Sequence, residues 1–155
     1  MQAISEKTTL NTQRRYEQQH SFSIDSIQKE IPKDLSILVV EDNRLIQFAV
    51  RAMLTELGCS FDMAADGHSA IELVNTSKRY DLVLMDIDLP DISGIEVTQI
   101  ILSLEHVKNV PIVAMTSHME PEYVEHCYAV GMTGFYNKPK DTYAIRKIIE
   151  THVLS

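Results

Sequence analysis

The chain has 155 residues, 45% of them hydrophobic and 23% charged, which suits one globular domain with a proper core and not comfortably two. Twenty-two acidic side chains against fourteen basic ones leave a net charge of −8, which disfavours nonspecific binding of nucleic acid or anionic membrane. No apolar run reaches the length of a membrane span and the amino terminus lacks a signal-peptide core, so a cytoplasmic protein without membrane contact is expected. Cys59 and Cys127 lie far apart in apolar-patterned segments, with no CxxC or Cys/His spacing, and read as buried reduced thiols.

Residues 1–34 are rich in Gln, Ser, Thr and charged side chains, the composition of a polar tail or linker. Within them Ile24, Ile27 and Ile31 fall at i, i+3 and i+7, so a short amphipathic helix ahead of Pro32 is the alternative. Residues 35–155 then alternate short apolar runs with helical patterns and are expected to form the domain. Leu35 to Val40 reads as a strand ending at Glu41-Asp42, followed over 43–57 by a helix that Gly58 closes. A second strand near Cys59–Ala64 precedes a second helix near Gly67–Ser77. Leu82–Met85 is a third strand, buried on both faces by its continuous apolar run. It stops at Asp86, Asp88 and Asp91, where Pro90 and Gly94 force a loop, and Asp91 reads as a turn residue. A third helix covers about 94–104, and Pro111 opens strand four, Ile112–Met115, which ends at Thr116-Ser117. A fourth helix over roughly 120–130 stops at Gly131. Strand five, Gly134–Tyr136, leads into Lys138-Pro139 and a last helix over about 141–153. Five such β-α repeats predict an α/β, doubly wound parallel sheet, a flavodoxin-like (βα)5 fold in the order 2-1-3-4-5.

In that order the carboxyl ends of the strands share one edge. Strand one delivers Glu41 and Asp42, strand three Asp86, strand four Thr116 and strand five Lys138. Two carboxylates about 4 Å apart repel by roughly 4 kcal/mol at an effective dielectric of 20, so three of them require a cation. All-oxygen ligands in a partly open site favour magnesium, or manganese, over zinc. The Lys138 ammonium suits an incoming phosphoryl oxygen as well as a carboxylate. A carboxylate beside a divalent ion, a lysine and a hydroxyl is equipped for in-line phosphoryl transfer, with a carboxylate oxygen as the attacking atom.

Residues 35–153 resemble the receiver domain of two-component response regulators, through ILVVEDN (37–43), LVLMDIDLPDISG (82–94), AMTS (114–117) and GMTGFYNKP (131–139). The resemblance implies that Asp86 is the phospho-acceptor, and that Glu41 and Asp42 hold Mg2+ together with Asp86 and the backbone carbonyl of Asp88. It also implies that Thr116 is a switch hydroxyl, that Phe135 is the switch aromatic, and that the Lys138-Pro139 bond is cis. Asp88 and His118, each two residues past a site residue, occupy positions that tune dephosphorylation in the family; a surface-loop histidine is the other reading of His118. Glu41 replaces the commoner Asp, Phe135 lacks the hydroxyl of a tyrosine, and Tyr136 falls where the family usually has an aliphatic residue. His68, His106, His126 and His152 form no ligand pattern and read as structural or exposed.

Sixteen residues follow Pro139, enough for a fifth helix and not for an output domain, so output is expected through protein contact or onward phosphoryl transfer. The first helix carries Leu45, Ile46, Phe48, Ala49, Val50, Ala52, Met53, Leu54 and Leu57, a surface wider than one sheet face needs. In the family such a surface docks a histidine kinase or histidine phosphotransfer protein. The face of helix four, strand five and helix five is the family's switch surface and a candidate dimer contact, with Tyr123, Cys127, Phe135, Tyr136 and Tyr143 around it. The segment 114–139 resembles receivers of hybrid histidine kinases more than those of transcription factors, which implies a phosphorelay role with no catalysis beyond the receiver's own phosphoryl transfer and slow loss. Two rivals remain. MDID resembles the DxD motif of haloacid-dehalogenase-type phosphatases, but here an acidic pair precedes it and the chain is short for a cap. A non-phosphorylated pseudo-receiver normally lacks one of the five site residues, and all five are present.

Overall fold

In the computed structural model, whose described residues are 29–155 except Ser77, Lys108 and His118, the strands form one parallel sheet in the order 2-1-3-4-5. The strands are β1 (Ser36–Val40), β2 (Ser60–Ala64), β3 (Leu82–Met85), β4 (Ile112–Thr116) and β5 (Gly134–Asn137). The helices are α1 (Arg44–Glu56), α2 (Gly67–Val74), α3 (Gly94–Ser103), α4 (Pro121–Ala129) and α5 (Thr142–His152), with a 3-10 turn at Glu105–Val107. Ile31–Ser155 is a compact unit.

Local chemistry explains where the helices begin and end. Asn43 caps α1 by accepting from Leu45 N at 2.9 Å and Ile46 N at 3.2 Å, and Asp141 caps α5 through Ala144 N at 2.8 Å. At the other end of α1, Cys59 N bonds to Leu54 O and Gly58 N to Thr55 O, each at 3.0 Å. Those two bonds make a Schellman stop, and they place Gly58 at φ +76°, where a side chain would be strained. Gly131, at φ +106°, ends α4 in the same way.

Alternation along the central strands divides the core into two layers. Leu38, Val40, Val83, Met85, Ile112 and Ala114 face α2, α3 and α4, where Ala70, Val97, Ile101 and Cys127 cover them. Ile37, Val39, Leu82, Leu84, Val113 and Met115 face α1 and α5, against Val50, Leu54, Ile145 and Ile149. Each fully buried aliphatic contributes about 1.5–3 kcal/mol, so the two layers fix the register of the three central strands. Ile31, on the tail side of the expected boundary, is 9% exposed and packs in the second layer without forming a helix. Ile24 and Ile27 lie outside the described residues.

One expectation is overturned. No cis peptide bond occurs among the described residues, so Lys138-Pro139 is trans. Even before proline the trans form is favoured by about 0.5–1 kcal/mol, and the long lysine stem reaches the acids from it.

Candidate functional site

The parallel register brings the site together. Val40 of β1 lies opposite both Ala64 of β2 and Met85 of β3, so Glu41 and Asp86 leave neighbouring strands at the same level. Two further backbone bonds, Glu41 N to Ala64 O and Asp86 N to Val40 O at 2.9 Å, carry the ladder past the strand ends. On the other side Thr116 of β4 pairs with Asn137 of β5, and Lys138 follows. Carboxylate oxygens of Glu41, Asp42 and Asp86 all lie within 4.8 Å of one another. Lys138 Nζ stands 3.1 Å from Glu41 Oε2 and 3.2 Å from Asp86 Oδ2.

Burial makes this cluster unusual. Glu41 and Asp86 are 3% and 2% exposed, whereas Asp42 opens to solvent and the Lys138 side chain is 20% exposed. Desolvation is the largest influence on Glu41, and with the Asp86 charge beside it pushes its pKa up to about 7, against the Asn43 amide and Lys138. Desolvation also raises Asp86, although the Lys138 charge and the Asp88 amide pull the other way. Lys138 is itself disfavoured by desolvation, but Glu41 and Asp86 outweigh this and hold it above the ordinary lysine value. Three carboxylates against one ammonium leave the site short of positive charge, and all-oxygen ligands with one open face fit a hard divalent cation.

Comparison with known proteins agrees with this geometry. The response regulator receiver domain profile matches residues 37–150. The chain belongs to the response regulator receiver family. A curated relative, histidine kinase 5 of Arabidopsis thaliana, is 32% identical over 143 residues, covering 76% of this chain and 15% of its own length. The chain therefore spans about a seventh of that relative. Among solved structures, the receiver domain of the Pseudomonas aeruginosa sensor histidine kinase PA1611 has magnesium coordinated in its active-site cleft. It is 34% identical, with a TM-score of 0.72 over 79% of this chain and 99% of that one. Chemotaxis protein CheY4 of Vibrio cholerae is 27% identical, with a TM-score of 0.73 over 77% of this chain and 98% of its own.

Other sequence expectations map onto the receiver as follows. Asp88 is exposed at the mouth of the site, and its N–H donates to Asp86 Oδ1 at 3.2 Å. Thr116 is fully buried at the end of β4, and Phe135 is half-buried against the α2–α4 layer. His118 lies outside the described residues. On α1, Leu45 and Phe48 are 81% and 74% exposed, so the excess apolar surface does face solvent. Tyr123 and Tyr143 are also exposed, Tyr136 is half-buried, and Cys127 is buried. Cys59 and Cys127 are both free buried thiols. His152 Nε2 meets the Tyr136 hydroxyl at 2.6 Å, and His106 Nε2 meets the Val74 carbonyl at 2.9 Å. Among the described residues no helix is long and apolar enough to cross a membrane.

Three contributors escaped the sequence reading. The Gln47 side-chain amide donates to the Glu41 carbonyl at 2.5 Å, steadying the Glu41–Asp42 turn from one turn into α1. Gly94 must lack a side chain, because a Cβ there would fall 2.1 Å from the Asp86 carbonyl oxygen. Asp91 is more than a turn former, since its carboxylate reaches the amino end of α2. Gly94 left a sequence signal as a glycine closing the loop after Asp86, and Asp91 one only as a turn residue.

Proposed function

We propose that this receiver accepts a phosphoryl group on Asp86 from a phosphohistidine protein and passes the signal on by conformational switching or onward transfer. The observation that carries the reading is the juxtaposition of a nearly buried Asp86 with Lys138 at 3.2 Å and with the Glu41–Asp42 pair. Glu41, Asp42, Asp86 and the Asp88 carbonyl would hold Mg2+, as their donor set fits and as the magnesium-bound Pseudomonas receiver suggests by likeness. When bound, the ion would offset charge on the phosphoryl oxygens and the acceptor carboxylate.

The chain's own groups account for the rest. An Asp86 carboxylate oxygen attacks phosphorus as the P–N bond to the donor imidazole breaks. The bonding pair stays on the ring nitrogen, and because the other ring nitrogen carries a proton the donor leaves as a neutral imidazole while Asp86 becomes an acyl phosphate. Lys138, 3.2 Å from Asp86 Oδ2, would meet a phosphoryl oxygen after that transfer, exchanging one anionic partner for another. Thr116 then supplies a hydroxyl to the same group, and Phe135 follows the vacated space. The exposed Leu45–Phe48 patch on α1 would seat the helical phosphodonor, and the α4–β5–α5 face would carry the switched state to a partner or a second copy.

The direct test is intact mass after incubation with acetyl phosphate and Mg2+. Wild type should gain one phosphoryl group, and Asp86→Asn should gain none. Labelling of both proteins would mean that another residue is the nucleophile, and labelling of neither would favour an interaction module that is never phosphorylated.

A further inference from the structure

The loop between β3 and α3 carries the Asp88 carbonyl, and it is cinched at its base. Gly94 N donates to Ile87 O at 2.8 Å, and Gly94 sits directly on the Asp86 carbonyl. Its far side is held by something else. Asp91 Oδ1 accepts from Gly67 N at 2.9 Å, and Oδ2 accepts from His68 N at 2.9 Å while lying 2.5 Å from His68 Nδ1. These are the first two amides of α2, donors that the helix itself leaves orphaned. The local cap, Asp66, takes a different one, Ser69 N at 2.7 Å. Two carboxylates from separate segments thus divide the orphan donors of one helix.

Steric fit supports the same contact. A Cβ at Gly67 would lie 2.6 Å from Ile92 Cγ1 and 2.7 Å from Val97 Cγ2, so the loop and α3 press on the helix start as closely as a glycine permits. The carboxylate also stays charged. Desolvation works against the anion, but the amides of Gly67, His68 and Ile92 outweigh it and hold Asp91 well below the usual carboxylate range. What α2 is attached to gives the contact its meaning. It follows β2, whose Ala64 carbonyl accepts from Glu41 N at 2.9 Å. The clamp therefore ties the Asp88 loop to the side of the sheet that bears Glu41 and Asp42.

We propose that Asp91 is a positioning residue for phosphoryl transfer, bridging the loop to the start of α2 and so fixing the Asp88 carbonyl relative to the Glu41–Asp42–Asp86 carboxylates. This rests on the reading that those groups hold Mg2+. Outer-shell partners of metal ligands are typically worth about 10–100-fold in affinity, and a loop brace belongs at the lower end.

The experiment is a calorimetric Mg2+ titration of the full chain as wild type, Asp91→Ala, Asp91→Asn and Asp66→Ala, with a urea midpoint for each. Asp91→Ala should raise the half-saturating Mg2+ concentration about tenfold. Asp91→Asn, which keeps one acceptor oxygen, should recover part of that. Asp66→Ala removes a cap from the same helix without touching the loop, so it should lower the urea midpoint and leave Mg2+ affinity within about twofold. Wild-type affinity in Asp91→Ala, or an equal loss in Asp66→Ala, overturns the positioning role. Absence of Mg2+ binding by wild type overturns the metal reading itself and the proposal with it.

Discussion

Lys138 shows how much one side chain can set at this site. It is the ammonium that meets both nearly buried carboxylates, across 97 residues of chain from Glu41 and 52 from Asp86. Lys138→Met keeps much of the stem volume and removes the charge. The formal charge of the cluster then falls by one unit, so Mg2+ should bind at least as tightly as in wild type. Phosphoryl uptake should nevertheless drop by about 100-fold, the scale on which removal of a preorganised charge-stabilising donor is felt. Calorimetry and a time course of intact mass separate the two effects. Slower uptake explained wholly by weaker Mg2+ binding would count against a direct role for the ammonium.

At the scale of the element, α1 has two faces of opposite exposure. Val50 and Leu54 are buried against the sheet, while Leu45 and Phe48 stand out in solvent. Replacing Leu54 by Ala should cost about 2–5 kcal/mol, because it leaves a cavity in a packed layer. The double change Leu45→Ser and Phe48→Ser should stay within about 0.5 kcal/mol of wild type in chemical denaturation. It should slow phosphoryl transfer from a phosphohistidine donor at least tenfold, if that patch is where the donor docks. An unchanged transfer rate would send the search for the docking face elsewhere on the receiver.

For the whole molecule, the open question is where the folded unit starts. The compositional break falls at residue 35, but Ile31 packs with Leu35, Ile37 and the helices of the α1–α5 layer. We propose that the domain begins at Ile31. Ile31→Ala in the full chain should then cost about 2–5 kcal/mol, as for any aliphatic removed from a core. A loss below about 0.5 kcal/mol in urea denaturation would return the boundary to residue 35.

The order of strands and helices was readable because its signals are local. Continuous apolar runs such as Leu82–Met85, caps such as Asn43 and Asp141, and stops such as Gly58 and Gly131 act within a few residues of where they stand. Much of the site was readable for a related reason: parallel strands put all their carboxyl ends on one edge, so Glu41, Asp42, Asp86, Thr116 and Lys138 had to share it. Only the tertiary structure could decide what depends on distance through space. Glu41 and Asp86 are desolvated by layers drawn from the whole chain, and the solvent-facing side of α1 is set by which residues the sheet leaves uncovered. Asp91 looked like a turn residue because its partners, Gly67 and His68, lie 24 and 23 residues back, and no local pattern records a bond that forms only when two loops meet.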